Sequence, residues 1–240
     1  MAKKEEIPEE TPAAPAEIVE GEPGAGVPAV PGDAPQYLPP EELPTPRMRI
    51  IQKPSDEHPN TGVFVNNLTD EELAELKCIV LGMRRGRVLW PKVGEGDDPL
   101  CRSRDFVHGE GQPGGGCEAC PLKDWGDDEK PKCAETIDFA CLDEYGVPFF
   151  LQVSRTGLKP ARAFIASAQY RGKPLYYSTV SITLRKATKP APHHVPVFKR
   201  GQDIDPATGP EFEAVLKRLS AAWDRVQAEE PKDDAAAGEF

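Results

Sequence analysis

Long apolar runs are missing from this sequence. No stretch approaches the roughly 20 residues that a membrane helix needs, and the opening Met1-Ala2-Lys3-Lys4 turns acidic and proline-rich without the apolar core of a secretory signal. A cytoplasmic setting is expected, where thiols stay reduced. Apolar residues are scarce altogether, at 38% of 240, which is low for a chain folded throughout and points to one domain with tails. Internal repeats are absent. Acidic residues, abundant elsewhere, vanish between Tyr145 and Gln202.

The charge that is present is segregated. Residues 1–46 carry two Lys and ten Asp or Glu, residues 201–240 four basic and ten acidic groups, and residues 47–200 an excess of three positive charges within a net of -11. With eleven prolines and no apolar periodicity, residues 1–46 cannot bury enough surface to offset chain entropy, and disorder is expected there. The folded part is expected over 47–200. Met48-Arg49-Ile50-Ile51 reads as a short strand. Thr69 and Glu72 form a capping box for a helix through about Lys77. Cys78–Leu81 reads as a strand, continued by Arg87–Trp90 past a bend at Gly82 or Gly86. Residues 136–142 and 148–153 flank a turn at Asp143–Gly146 as a hairpin. A helix follows over 158–168, then a strand over 175–184 and an edge strand at 195–198, where Pro196 cannot sit in a sheet interior. Residues 201–228 hold a linker and an amphipathic helix from Glu211, striped by Phe212, Val215, Leu216, Leu219, Trp223 and Val226. Residues 229–240 read as a disordered acidic tail.

Four of the six cysteines lie in the loop-like segment 91–134. A structureless loop of that length inside a compact domain needs something to order it. Cys117 and Cys120 form a C-x-x-C knuckle behind three glycines, and Cys101 and Cys133 complete a tetrahedral set. Four thiolates with no open position imply one structural Zn2+. An iron–sulfur cluster also accepts four cysteines, and His108 could stand in for Cys101. The run His108-Gly109-Glu110 ahead of Cys117 and Cys120 has the letters of a zinc deaminase, but six residues leave no space for the separate helices that such a site requires. Cys78 and Cys141, in apolar strand contexts, read as small buried hydrophobes.

The acid-free stretch suggests an anion-binding surface. Arg155, Lys159, Arg162, Arg171, Lys173, Arg185 and Lys186 would track phosphates, and Tyr176 or Tyr177 would stack on unpaired bases. Since neighbours on a strand face opposite ways, one of Tyr176 and Tyr177, and one of Phe149 and Phe150, should point outward. No clustered carboxylates accompany these groups, so a metal-dependent nuclease is not expected, and the chain reads as a non-enzyme.

The element order of strand, cysteine insertion, two strands, helix and two strands is that of an OB-fold: mainly β with a few helices, a five-stranded barrel carrying a zinc-binding loop. With the cysteine insertion, the basic and aromatic stretch and the acidic end Asp233, Asp234, Glu239, Phe240, the chain resembles bacteriophage single-stranded-DNA-binding proteins. The zinc loop is similar to that of the T-even phage proteins, which use one His and three Cys, and the tail is similar to that of the T-odd ones. The resemblance implies a role in phage DNA replication or recombination, single-stranded DNA as partner, the host cytoplasm as location, and recruitment of replication or recombination enzymes through Asp233, Asp234, Glu239 and Phe240. The alternative is a zinc-stabilised adaptor or transcription regulator that binds protein or duplex DNA.

Overall fold

The computed structural model describes residues 44–55, 57–92, 99–124, 131–189 and 192–225. The tail 229–240, with its expected partner contacts, and all but the last three residues of the expected disordered segment 1–46 lie outside the described residues.

The architecture is organised by one long strand. Strand β1 (Arg47–Ile50), β2 (Phe64–Asn66) and β3 (Glu72–Leu73) precede β4 (Glu75–Leu89). Three short strands follow, β5 (Cys101–Ser103), β6 (His108–Gly111) and β7 (Gly115–Gly116). The hairpin β8 (Cys133–Asp143) and β9 (Pro148–Ser154) leads through a 3-10 turn to helix α1 (Leu158–Gln169). Strands β10 (Ser178–Ala187) and β11 (His193–Asp203) and helix α2 (Gly209–Arg225) complete the fold. The hydrogen-bonded order is β3-β2-β1-β9-β8-β4-β5-β6-β7, with β10 on the first part of β4 and β11 beyond it. All pairings are antiparallel except β1 with β9.

Alternation explains the layers. Leu76, Cys78 and Val80 of β4, Ile137, Phe139 and Cys141 of β8, and Phe149, Leu151 and Val153 of β9 face one way, onto Ala161, Phe164 and Ile165 of α1. Cys78 and Cys141 are core thiols, as expected. The opposite face holds Leu81, Ala140, Leu142 and Phe150 beneath Leu219 and Trp223 of α2. Phe149 and Phe150 do face opposite ways, yet neither is exposed, because the Trp223 ring stacks on Phe150 at 5.3 Å and 17°. The apolar stripe of α2 is thus spent on the sheet.

Several local expectations change. The helix from Thr69 is not formed: Thr69 and Asp70 lie in a turn, and Glu72 is already in β3. The period-two pattern Leu76, Cys78, Val80 prevails over the capping box, and the Glu72 carboxylate accepts from Asn60 Nδ2 at 2.8 Å and lies 3.6 Å from the His58 ring. Leu175–Tyr177 form a 3-10 turn before β10. The hairpin turn is as expected, with the Asp143 carboxylate accepting from the backbone N–H groups of Tyr145 and Val147 and Gly146 at φ +79°.

The closed five-stranded barrel is not formed. The sheet is open, since β11 pairs with β10 alone and the free edge of β9 is taken by β1. Pro196 sits on that open strand, as expected. One side chain spans the gap: the Gln52 amide, just beyond β1, donates to His194 O at 2.9 Å and accepts from His194 N at 2.7 Å. No described helix is long and apolar enough to cross a membrane.

The α2 contact yields a prediction. Trp223→Ala removes the largest group between the helix and the sheet, and should lower the unfolding free energy by about 3–5 kcal/mol in urea denaturation. A change below about 1 kcal/mol would mean that α2 is not part of the cooperative unit.

Candidate metal centre and nucleic-acid interface

The four cysteines of segment 91–134 arrive from three directions. Cys101 opens β5 and Cys133 opens β8, and both are in register with Leu89 of β4, one on each side. The knuckle is a tight turn, with Cys120 N–H donating to Cys117 O at 3.3 Å and Cys117 N–H to Val107 O at 2.7 Å. All four line one small cavity with Arg87, Leu89, Leu122 and Lys123. A β-carbon at Gly109 would lie 2.9 Å from Cys101 Sγ, so that glycine makes room for the thiol. Burial pushes the Cys133 thiol up to about 11, and the three other cysteines add to this against the pull of Arg87. Among the described residues, no three His, Cys, Asp or Glu side chains stand grouped as a bound metal would draw them. The thiols therefore share a cavity without forming a coordination sphere as they stand. The donor set itself, all thiol with no carboxylate among the described residues that line the cavity, suits a soft or borderline cation.

His108 takes a different part. Its ring meets the Asp105 carboxylate at 2.6 Å, and it is absent from the cysteine cavity. Asp105 also accepts from the N–H groups of Val107 and His108 and from Ser103 Oγ. The His108 N–H and ring, with Val107, hold this exposed carboxyl well below the usual range. Between them Phe106 adopts φ +68° and lays its ring beneath Arg85 and Arg87, at 3.9 and 4.3 Å.

The expected nucleic-acid residues do not form one patch. Arg155 and Lys159 are exposed at the corner where β9 enters α1. Arg162 donates to Glu135 at 2.5 Å, beside Arg85 on the same carboxylate at 3.1 Å. Arg171 and Lys173 are exposed beyond α1, with Arg171 donating to Tyr177 Oη at 3.0 Å. Arg185 and Lys186 lie at the far end of β10, opposite Val195 and His194. Tyr176 turns to α2, its hydroxyl donating to Glu213 at 2.9 Å and its ring resting on Phe212. Tyr177 lies under the Arg200 guanidinium at 4.7 Å, while that group also donates to Phe164 O, Ser167 and Ser178. Arg162, Arg171 and Arg200 thus have side-chain or backbone partners within the fold.

A second basic grouping emerges instead. Arg47 and Arg49 of β1, Arg84 of β4, and Arg102 of β5 with Arg104 just beyond it come from three separate stretches of chain. Arg84, Asp138 and Gln152 stand in register across β4, β8 and β9. Asp138 is nearly fully buried, accepts from Gln152 at 2.7 Å, and faces Arg47 at 3.8 Å. Burial lowers the Arg102 guanidinium to about 10, and Arg47, Arg104 and Arg84 act the same way against the opposing charge of Asp138. Only the consecutive Arg102-Ser103-Arg104 hinted at this in sequence. No family model matches this chain, and neither the curated proteins nor the solved structures contain a match.

The Glu135 cluster gives a pH prediction. Burial alone would raise its pKa, but the hydrogen bonds and charges of Arg162 and Arg85 outweigh this and lower it. A depressed folded pKa contributes stability above the unfolded value, lost as pH falls through the folded one. Wild type should therefore exceed Glu135→Gln in stability at neutral pH, with the gap closing as pH falls below the ordinary glutamate range. Urea denaturation of both proteins across that range checks it, and a gap independent of pH would refute it.

Proposed function

We propose that this chain binds single-stranded DNA and carries one structural zinc ion on Cys101, Cys117, Cys120 and Cys133. The observation that carries the reading is the connectivity around β4. This strand pairs with β8 along its length and with β10 near its start, β9 follows β8, α1 lies between β9 and β10, and β11 follows β10. This connectivity supports an OB-like reading, since an OB-fold is itself a partly open barrel with the same strand and helix order, although here the edge of β9 is taken by β1 and the third and fifth of those strands do not pair. The cysteine excursion leaves between the first and second of those strands. OB surfaces accommodate extended, unpaired strands, on which basic groups follow the phosphates.

Zinc would join β5, the knuckle and the start of β8, with Arg87 and Lys123 in the cavity wall offsetting the surplus negative charge of four thiolates. Its contribution is structural, as an all-thiolate sphere leaves no position for water or substrate. The acidic tail 229–240, outside the described residues, enters the proposal as the source of partner contacts in replication or recombination.

Two experiments test this. Purified protein should hold about one zinc per chain by elemental analysis. Cys117→Ser should release it, whereas His108→Ala should retain it; absence of zinc, or an iron–sulfur chromophore, would overturn the metal assignment. In a salt series, affinity for a single-stranded oligonucleotide should exceed that for the duplex and fall steeply as salt rises, since each phosphate neutralised adds about 0.7 to the logarithmic slope. Equal affinity for duplex would favour the regulator reading.

A further inference from the structure

We propose that the phosphate chain of single-stranded nucleic acid crosses the face where Arg85 and Arg87 of β4, Lys159 and Arg162 of α1, and Arg155 between β9 and α1 meet around Glu135. This inference deepens the single-strand reading and rests on it.

Register brings these groups together. Met83 packs against the core on the α1 side, and Arg85 and Arg87, two and four residues further along β4, continue that side. Arg87 is directly opposite Glu135 of β8. Ser154 ends β9 opposite Thr136, so Arg155 follows alongside Glu135, and the turn Arg155–Gly157 lies against β8. Lys159 and Arg162 are three residues apart on α1, and Arg162 reaches the Glu135 carboxylate from there. The row crosses three neighbouring strand positions, about 10 Å at the usual spacing. That is the shape of a track for an extended chain, not of a pocket for one small anion.

Two strained positions border this face. Among the described residues, three that are not glycine have a left-handed φ: Asp70, Phe106 and Arg155. Asp tolerates that conformation, since its short side chain can bond locally, whereas Phe and Arg adopt it at a cost. Such outliers gather at ligand clamps. At Phe106 the Asp105 carboxylate fixes the turn, accepting from the N–H groups of Val107 and His108, and the ring is laid against both guanidiniums of β4. At Arg155, with φ +48°, the chain turns from β9 into α1 and leaves the residue exposed.

The charges on this face are open to a ligand. The side chains of Arg155 and Lys159 are exposed and enter no ion pair or hydrogen bond among the described residues. Arg87 lies on the Phe106 ring and in the wall of the cysteine cavity, with no described carboxylate in ion-pair contact. Arg85 and Arg162 share the Glu135 carboxylate, yet about half of each side chain is in solvent, at 47% and 55%. A guanidinium carries five N–H donors, so one or two bonds to Glu135 leave others for phosphate oxygens. Its planar group, held in place by the Phe106 ring in the case of Arg85, is also one on which an unpaired base can stack.

The test uses the full chain and a labelled oligothymidylate at low salt. Arg155→Glu with Lys159→Glu should weaken binding by about tenfold or more, and the milder Arg155→Gln with Lys159→Gln should lower the salt slope by about 1.4, or two single-strand phosphates. Lys217→Glu with Arg218→Glu makes the same change of charge on exposed residues of α2, and should alter affinity by less than about threefold. Circular dichroism identifies unfolding of a charge-reversed protein, in which case wild type decides: phenylglyoxal should modify Arg155 and acetylation Lys159 in the free protein, and the oligonucleotide should block both. If wild type binds but the Gln variant keeps its salt slope, or the two residues are not protected, or the α2 reversal weakens binding equally, the face is not the phosphate track. Failure of wild type to bind at all refutes instead the single-strand reading.

Discussion

The double pairing of β4 is the constraint on which the rest of the molecule depends. The fifteen residues of β4 serve β8 along one edge and, on the other, β10 at the start and β5 at the end. The register shift between Val80 and Gly82 supplies the bend, and bulges increase local twist. Gly82 also opens the seat for α2, since a β-carbon there would meet the Leu216 side chain at 3.0 Å. On one strand, then, Leu76 to Val80 build the core, Leu81 lies under α2, Arg84 faces the buried Asp138, and Leu89 reaches the cysteine cavity.

How much of this was legible in the sequence depended on the range of the interaction. The hairpin around Asp143–Gly146 and the helix 158–168 are local, and their side-chain patterns suffice. The spacing of Cys101, Cys117, Cys120 and Cys133 was read as a zinc site; the four line one cavity, and their use as zinc ligands is a proposal. The region near Thr69 misled because a good local cap competes with alternation that pays off only against distant β10. The expectation that one of Phe149 and Phe150 would point outward failed for a related reason: alternation gives the side a ring faces, but not that Trp223 of α2 will cover it.

The basic groups show the same limit. A run without acidic residues marks composition along the chain, and folding redistributes it. Arg162 finds its carboxylate on Glu135, and Arg200 is held by the end of α1. Meanwhile arginines from β1, β4 and β5, each next to unremarkable neighbours, assemble only through sheet register. The reading of His108 follows likewise from a contact three residues away, since the Asp105 carboxylate organises the turn and draws the ring towards itself.

The open seam between the two ends of the sheet has a mechanical consequence. Where a closed barrel would have a ladder of backbone bonds, this molecule has the two hydrogen bonds of the Gln52 amide, beside a His194 ring pressed against Gly62. Two side-chain bonds are a thin seam, so β10 and β11 are held to the rest of the fold by the start of β4 and by the core, where Val180 and Ile182 are buried and the Phe198 ring stacks on Phe164 at 5.1 Å. The curl of the sheet is therefore set by side-chain packing under α1 and not by a closing ladder.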